Sequence, residues 1–318
     1  MAWKKIHGDV FRQPEFANML SCFIGAGMQT LFMFITLLIA IVFAFANTEW
    51  RGQIYEAAVV IMALYGYVNG YVTARYLRFF GASDWSFSAV VSALALPMFF
   101  TAAILEEVFF AWVTRSSMRY SAGQTILRAI GWYLLNGGLC FAGAYHGYLK
   151  KAAALPAQVS KVRRPIPPQP SYMSIFVITP VFGLIQFASI YVEFSYLVSS
   201  IFRHHMYAMF GFLLMNLLLL VVVVSLLSIL QTYMQLCQQN YEWWWRSFFV
   251  GASGAIWMIA YFVIYFAKNL EWFDFFSDMI FLSYTSVLVS CYVAAAGAIS
   301  VTASYLFVKS LYSDVRSD

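Results

Sequence analysis

The chain has 318 residues, of which 62% are hydrophobic and only 10% charged, with a mean hydropathy of +0.74. A soluble domain carries about 25% charged residues, so this composition excludes a molecule that meets water on all sides. The net charge of +5 is small and gives no reason to expect a nucleic-acid partner; its distribution along the chain matters more than its total.

Met1–Arg12 is polar and basic, and the apolar run that follows is too long for a signal-peptide core, so no cleavable leader is expected. A helix needs about 20 mostly apolar residues to cross a bilayer. Eight runs qualify: Met19–Ala46, Ala57–Tyr76, Phe87–Val113, Thr125–Leu149, Met173–Phe202, Met206–Leu230, Phe248–Ala267 and Met279–Phe307. They are continuous rather than alternating, which separates them from the strands of a membrane barrel. The predicted fold is an all-α polytopic bundle of about eight transmembrane helices, and an even number puts both termini on one side.

Basic residues decide which side. Lys4, Lys5, Arg12, Arg75, Arg78, Lys150, Lys151, Lys161, Arg163, Arg164, Arg246, Lys309 and Arg316 fall with the termini. Arg51, Arg115, Arg119, Arg128, Arg203 and Lys268 fall on the other side. The excess places both termini in the cytosol. The longest loop, residues 150–172, carries Lys161-Val-Arg-Arg-Pro-Ile-Pro-Pro-Gln-Pro170. Its prolines exclude helix and favour an extended path. Two readings fit: a stiff connector whose cations sit on anionic lipid, or a docking site for a cytosolic partner.

Gln235–Phe248 is the one long polar and aromatic break between two intensely apolar runs. Trp243, Trp244 and Trp245 are expected at the headgroup level, where an indole keeps its body in lipid and its N–H in a polar layer. Arg246 is expected on phosphate or on Glu242, one helical turn away.

Candidate chemistry is sparse. Glu193 lies well inside the fifth run, where an ionised carboxylate costs several kcal/mol, so it must face the bundle interior, stay protonated or line a wet cavity. It reads either as a proton- or cation-sensitive site or as an interior structural hydrogen bond. Glu106 and Glu107 diverge by about 100° on a helix and cannot serve one site equally. His204-His205 share no helix face and have no ligand cluster beside them, so no metal or cofactor is expected. Gly251-Ala-Ser-Gly254 resembles the nucleophile motif of rhomboid intramembrane proteases, but no histidine follows Ser253 to take its proton. Close helix packing explains it better, as it does Gly66-x-x-x-Gly70, Gly143-x-x-x-Gly147 and Ala294–Ala298. Gln29, Asn69, Asn136, Gln186 and Asn216 are expected to face the interior. The four cysteines are scattered and show no metal spacing; Cys237, near a helix end, leaves lipid attachment open.

Several blocks carry a family resemblance. Trp3-Lys-Lys-Ile-His-Gly-Asp-Val-Phe-Arg12 with Gly25-Ala-Gly-Met-Gln29 resembles the opening of the membrane domain of the nonaspanins, the transmembrane 9 superfamily (EMP70-like). Tyr65-Gly-Tyr-Val, Ala74-Arg75 and Phe80-Gly81 before Trp85 are similar to its second block. Ile201–Leu213 and Tyr241-Glu-Trp-Trp-Trp-Arg-Ser-Phe248 resemble its most specific signature, and Phe307-Val-Lys-Ser-Leu-Tyr312 its tail. The resemblance runs over residues 1–318 as one transmembrane domain. It implies the C-terminal membrane portion, without the family's signal peptide, lumenal domain and first transmembrane helix. It departs at Glu106-Glu107, around Arg119–Gly123, in the loose match of the Arg163–Pro170 loop, and at Arg316-Ser317-Asp318. There the family's coat-binding Lys-x-Asp sorting signal becomes Arg316 and Asp318, keeping the charge but not the ammonium geometry. The resemblance implies a non-enzymatic protein of Golgi and endosomal membranes that assists sorting or surface delivery of membrane proteins with glycine-rich transmembrane helices. A secondary transporter or channel with an intramembrane Glu193 site is the alternative, with Pro97 and Pro180 each a candidate helix break.

Overall fold

The structure, a computed structural model, describes residues 2–43, 51–81, 85–113, 122–151, 159–202, 210–269 and 275–313. Among them there is no strand. A short 3₁₀ turn, Ala2–Ile6, precedes α1 (Ala17–Val42), α2 (Arg51–Leu64), α3 (Gly66–Phe80), α4 (Trp85–Val113) and α5 (Ala122–Leu149). A second 3₁₀ turn, Ser171–Met173, leads into α6 (Ile175–Phe202), α7 (Phe210–Cys237), α8 (Trp244–Ala252), α9 (Gly254–Asn269) and α10 (Phe275–Ser313).

Among the described residues, seven helical stretches are long and apolar enough to cross a membrane: Ala17–Val42, Ala57–Phe80, Trp85–Glu106, Ile175–Ile201, Phe210–Cys237, Trp244–Lys268 and Asp278–Ser313. Two of them join two helices, α2 with α3 and α8 with α9. The joints, Tyr65 and Ser253, keep right-handed helical dihedrals (φ −72°, ψ −2° and φ −64°, ψ −25°), so the chain is not unwound there. The expected breaks at Pro97 and Pro180 do not occur: α4 and α6 run through them. Pro180 sits in the second turn of α6, where it removes the i→i−4 bond to the Phe176 carbonyl, and the Trp257 indole donates to its carbonyl at 2.9 Å.

The fourth predicted crossing, α5, is not among the seven. Gln124, Arg128, Asn136, His146 and its glycines dilute its apolar content. Its packing shows its course. Gly66 abuts Asn136, Gly70 abuts Cys140 and Ala144, and Gly147 abuts Tyr71 and Ala74. The numbers rise together, so α5 runs parallel to α3 along its length. Arg75 then donates to the carbonyls of Lys150 (3.3 Å) and Lys151 (2.7 Å), and Arg78 to that of Tyr148, covering the C-terminal carbonyls of α5. Gly81, at φ 76°, closes α3 in the left-handed conformation that glycine adopts at least cost.

α1 is the central helix. A Cβ on its Gly25 would lie 2.1 Å from Thr73 Oγ1 of α3, and one on Gly27 would lie 2.0 Å from the Ala294 carbonyl of α10. Such approaches are the means by which helices associate in lipid, where apolar burial gives no drive. One core cluster, with Ile6, Phe11, Leu20, Trp243, Trp244 and Tyr312, closes the end of the bundle that holds the N-terminal segment. A second, built on Phe187, Phe194, Phe262 and Phe281, binds α6 to α9 and α10.

Candidate functional site

Two constructions stand out, a stapled end and a buried polar knot. At the stapled end the three indoles act in series. Trp243 Nε1 donates to the carbonyl of Val10 (2.9 Å), Trp244 Nε1 to that of Arg12 (3.2 Å), and Trp245 Nε1 to that of Glu15 (2.6 Å). Trp243 and Trp244 stack at 3.9 Å and are 0% and 2% exposed. This corrects the expectation of an interfacial anchor for both: they lie inside the protein, because the segment before α1 folds back over them and supplies acceptors that lipid headgroups would otherwise provide. Trp245 alone stays half-buried. Arg246 is corrected too. It donates to the Met173 carbonyl at the entry of α6, and forms no ion pair with Glu242.

The proline-rich loop is docked on the same end. Ser160 N–H donates to the Gly8 carbonyl (2.8 Å), Arg164 to the Lys5 carbonyl (2.7 Å), and Gln169 to the Gln238 carbonyl (3.2 Å). Arg12 pairs with Asp9 and also reaches the Ser160 carbonyl at 2.9 Å. The N-terminal segment, the loop, the α7–α8 turn and the end of α10 therefore form one basic platform.

The polar knot ties five helices. Gln29 of α1 donates to Asn136 Oδ1 of α5 (2.8 Å) and to the Met62 carbonyl of α2 (2.7 Å). Asn69 of α3 donates to Gln29 Oε1 (2.9 Å) and the Ser92 carbonyl of α4 (3.2 Å), and accepts from the Ser92 hydroxyl. Asn136 donates to the Ala93 carbonyl (3.1 Å). All four side chains are fully buried. Such amides are held inside because hydrocarbon offers them no partner. Gln186 lies in a second contact, donating to the Val250 carbonyl (2.9 Å) and accepting from Tyr292 (2.9 Å). A hydroxyl cluster of Thr232, Ser247, Ser300 and Ser304 joins α7, α8 and α10. Asn216, expected inside, is only half-buried on α7.

Residues 1–275 match the family described as endomembrane protein 70. The chain belongs to that family. Transmembrane 9 superfamily member 2 of Homo sapiens is 32% identical over 317 residues, covering 99% of this chain and 48% of that protein. Member 4 of Homo sapiens is 28% identical (99% and 49%), and member 10 of Arabidopsis thaliana is 28% identical (99% and 50%). The chain thus spans about half the length of these curated relatives. No solved structure matches it. This endomembrane protein 70 chain is a multi-pass membrane protein of the endomembrane system.

The structure places the remaining candidates in this family frame. Gly66, Gly70, Gly143 and Gly147 are filled by the α3–α5 contact, with a Cβ on Gly70 falling 1.8 Å from the Cys140 carbonyl. Gly251 lies against Ala296 and Ser300, and Gly254 against the Tyr292 ring. Ser253 is buried with its hydroxyl on the Val250 carbonyl at 2.6 Å. Glu193 and Glu106 are half-buried on α6 and α4 and do not join the polar knot. Glu107 lies on the α4 backbone, its side chain outside the described residues; Arg316, Asp318 and His204-His205 lie outside them altogether. Among the described residues no group of His, Cys, Asp and Glu could hold a metal. Sequence reasoning missed the carbonyls of Val10, Arg12 and Glu15 as partners of the tryptophans. The only signal was the co-occurrence of a polar N-terminal segment with three adjacent indole donors.

Proposed function

We propose that this protein assists the sorting and surface delivery of other membrane proteins in Golgi and endosomal membranes, by holding client helices that are poorly stable in lipid. The basic platform is its cytosolic end, in keeping with the positive-inside rule. The glycines of α3 do not serve the client, because α5 already occupies them. The observation that carries the reading is the outer face of α5. Gly131 and Gly138 have nothing within 4 Å, and Leu127 and Leu134 beside them are among the most exposed side chains of the bundle. A glycine-rich client helix laid there would gain the close contact that such helices need. In a crosslinking assay on the full protein, Gly131→Leu with Gly138→Leu lowers capture of glycine-rich transmembrane segments; unchanged capture overturns the reading. The alternative, a secondary transporter, draws on Glu193, a half-buried carboxylate within an apolar span. A pH-dependent flux in proteoliposomes that disappears in Glu193→Gln would favour it over sorting.

A further inference from the structure

The platform contains a cleft of about 430 Å³ between the N-terminal segment, the docked loop and the end of α3. Arg12, Glu15 and Arg163 are its charged lining, and Phe11, Phe79 and Phe80 form its apolar wall. Its shape is built in. Ser160 is tied to Gly8, Asp9 and Arg12, which fixes the loop wall, and the Trp244 and Trp245 indoles fix the opposite wall through the carbonyls of Arg12 and Glu15. Arg12 spends Nε and Nη2 on Asp9 and Ser160, leaving its Nη1 donors without a partner among the described residues. Arg163 is exposed and makes no bond to any described residue. The cleft therefore offers guanidinium donors beside one carboxylate; Asp9 balances the charge of Arg12, and Arg163 stands opposite Glu15.

The surroundings point to a lipid. Phe16, next to the cleft-lining Glu15, is 75% exposed and held at φ 54°, where a bulky side chain is rare. Met19 and Phe23 follow it at helical spacing and are also exposed, forming a stripe that descends α1 from the cleft. On the loop wall Val162 is 81% exposed. Exposed apolar side chains interleaved with arginines are the pattern of a surface that holds a headgroup and its acyl chains together.

We infer that this cleft binds an anionic aminophospholipid, of which phosphatidylserine is the simplest. Arg163 and Arg12 take the phosphate, Glu15 takes the ammonium, and the Phe16–Met19–Phe23 stripe receives an acyl chain. The exposed Lys4, Lys5, Lys161 and Arg164 around the cleft supply the positive field that favours a headgroup of net negative charge. A zwitterionic choline lipid lacks the charge and the N–H donors, and a free phosphate lacks the chain.

The test uses the full protein in phosphatidylcholine nanodiscs that contain a minor fraction of photoreactive phosphatidylserine, with labelled peptides identified by mass spectrometry. The expected result is labelling of residues 11–23 and 159–164. It should fall roughly fivefold in Arg163→Gln, the equivalent of the about 1 kcal/mol that one basic residue contributes at an anionic surface. It should also fall in Phe16→Ser, and stay unchanged in Lys309→Gln, an exposed cation elsewhere on the same end. Arg163→Gln breaks no contact among the described residues, so unfolding does not explain a loss. Undiminished labelling in Arg163→Gln, or equal labelling by photoreactive phosphatidylcholine, overturns the assignment. Displacement by inorganic phosphate would show an anion site without lipid selectivity, and overturns it as well.

Discussion

The phenol of Tyr312 donates a hydrogen bond to the carbonyl of Trp3 across 2.8 Å, and their rings meet edge to face at 5.4 Å. The first and last described elements therefore end together. A chain that returns to the end of the bundle where it began has traversed it an even number of times. The seven clearly apolar stretches among the described residues do not satisfy that parity, and α5, which runs parallel to α3, is the expected eighth passage. Cysteines at Lys5 and Lys309, in a Cys237→Ser background, should react with a membrane-impermeant maleimide from the same side of a sealed vesicle, and one at Gly123 from the opposite side. Labelling of Gly123→Cys together with Lys5→Cys would remove α5 as a crossing.

The tryptophan staple makes a different prediction from an interfacial belt. Trp243→Phe keeps an aromatic ring but leaves the buried Val10 carbonyl without its donor, a loss of about 1–3 kcal/mol. Trp244→Ala should cost about 3–5 kcal/mol through the cavity it opens among Phe79, Phe80 and Tyr305. Thermal unfolding in detergent measures both. Limited proteolysis should show residues 2–16 cut faster in Trp243→Phe than in the parent. If both substitutions were silent, the indoles would be lipid anchors after all.

Glycine substitutions should divide into two groups. Gly70→Ala and Gly143→Ala place a Cβ 1.8 Å from the Cys140 carbonyl and 2.0 Å from the Tyr67 carbonyl, so helices must separate, at about 1–3 kcal/mol each. Gly131→Ala and Gly138→Ala meet open space and should be neutral, or stabilising by about 0.5–1 kcal/mol through helix propensity. Unfolding midpoints of the four variants test this directly, and a uniform response would contradict the α3–α5 contact.

The polar knot should behave as a coupled unit. Gln29→Leu and Asn69→Leu each strip partners from the other, so a double-mutant cycle should return about 0.6–1.7 kcal/mol, the range seen for hydrogen bonds between membrane helices. Additive losses would mean that the two amides act independently.

Much of this architecture was readable in the amino-acid order. The spans follow from apolar runs long enough to cross hydrocarbon, and the inward positions of Gln29, Asn69, Asn136 and Gln186 follow because an amide has nowhere else to go in lipid. The small-residue pairs on α3 and α5 were visible as spacing. What was not visible was their mutual partnership. Spacing shows that a face is small and packs closely but not which neighbour fills it, so the pairing of Gly66 and Gly70 with α5 had to come from the structure.

The tryptophans mark the same boundary most sharply. Composition and spacing determined by themselves that this is a helical membrane protein, that its basic residues gather at one end, and that Trp243–Arg246 stands where the chain re-enters the bundle. Only the tertiary structure decided that two of the three indoles point into protein. An indole N–H needs an acceptor, and local sequence cannot tell a phosphate from the carbonyl of a segment some 230 residues away. That choice rests on long-range packing, where Val10, Arg12 and Glu15 arrive in register with three consecutive donors.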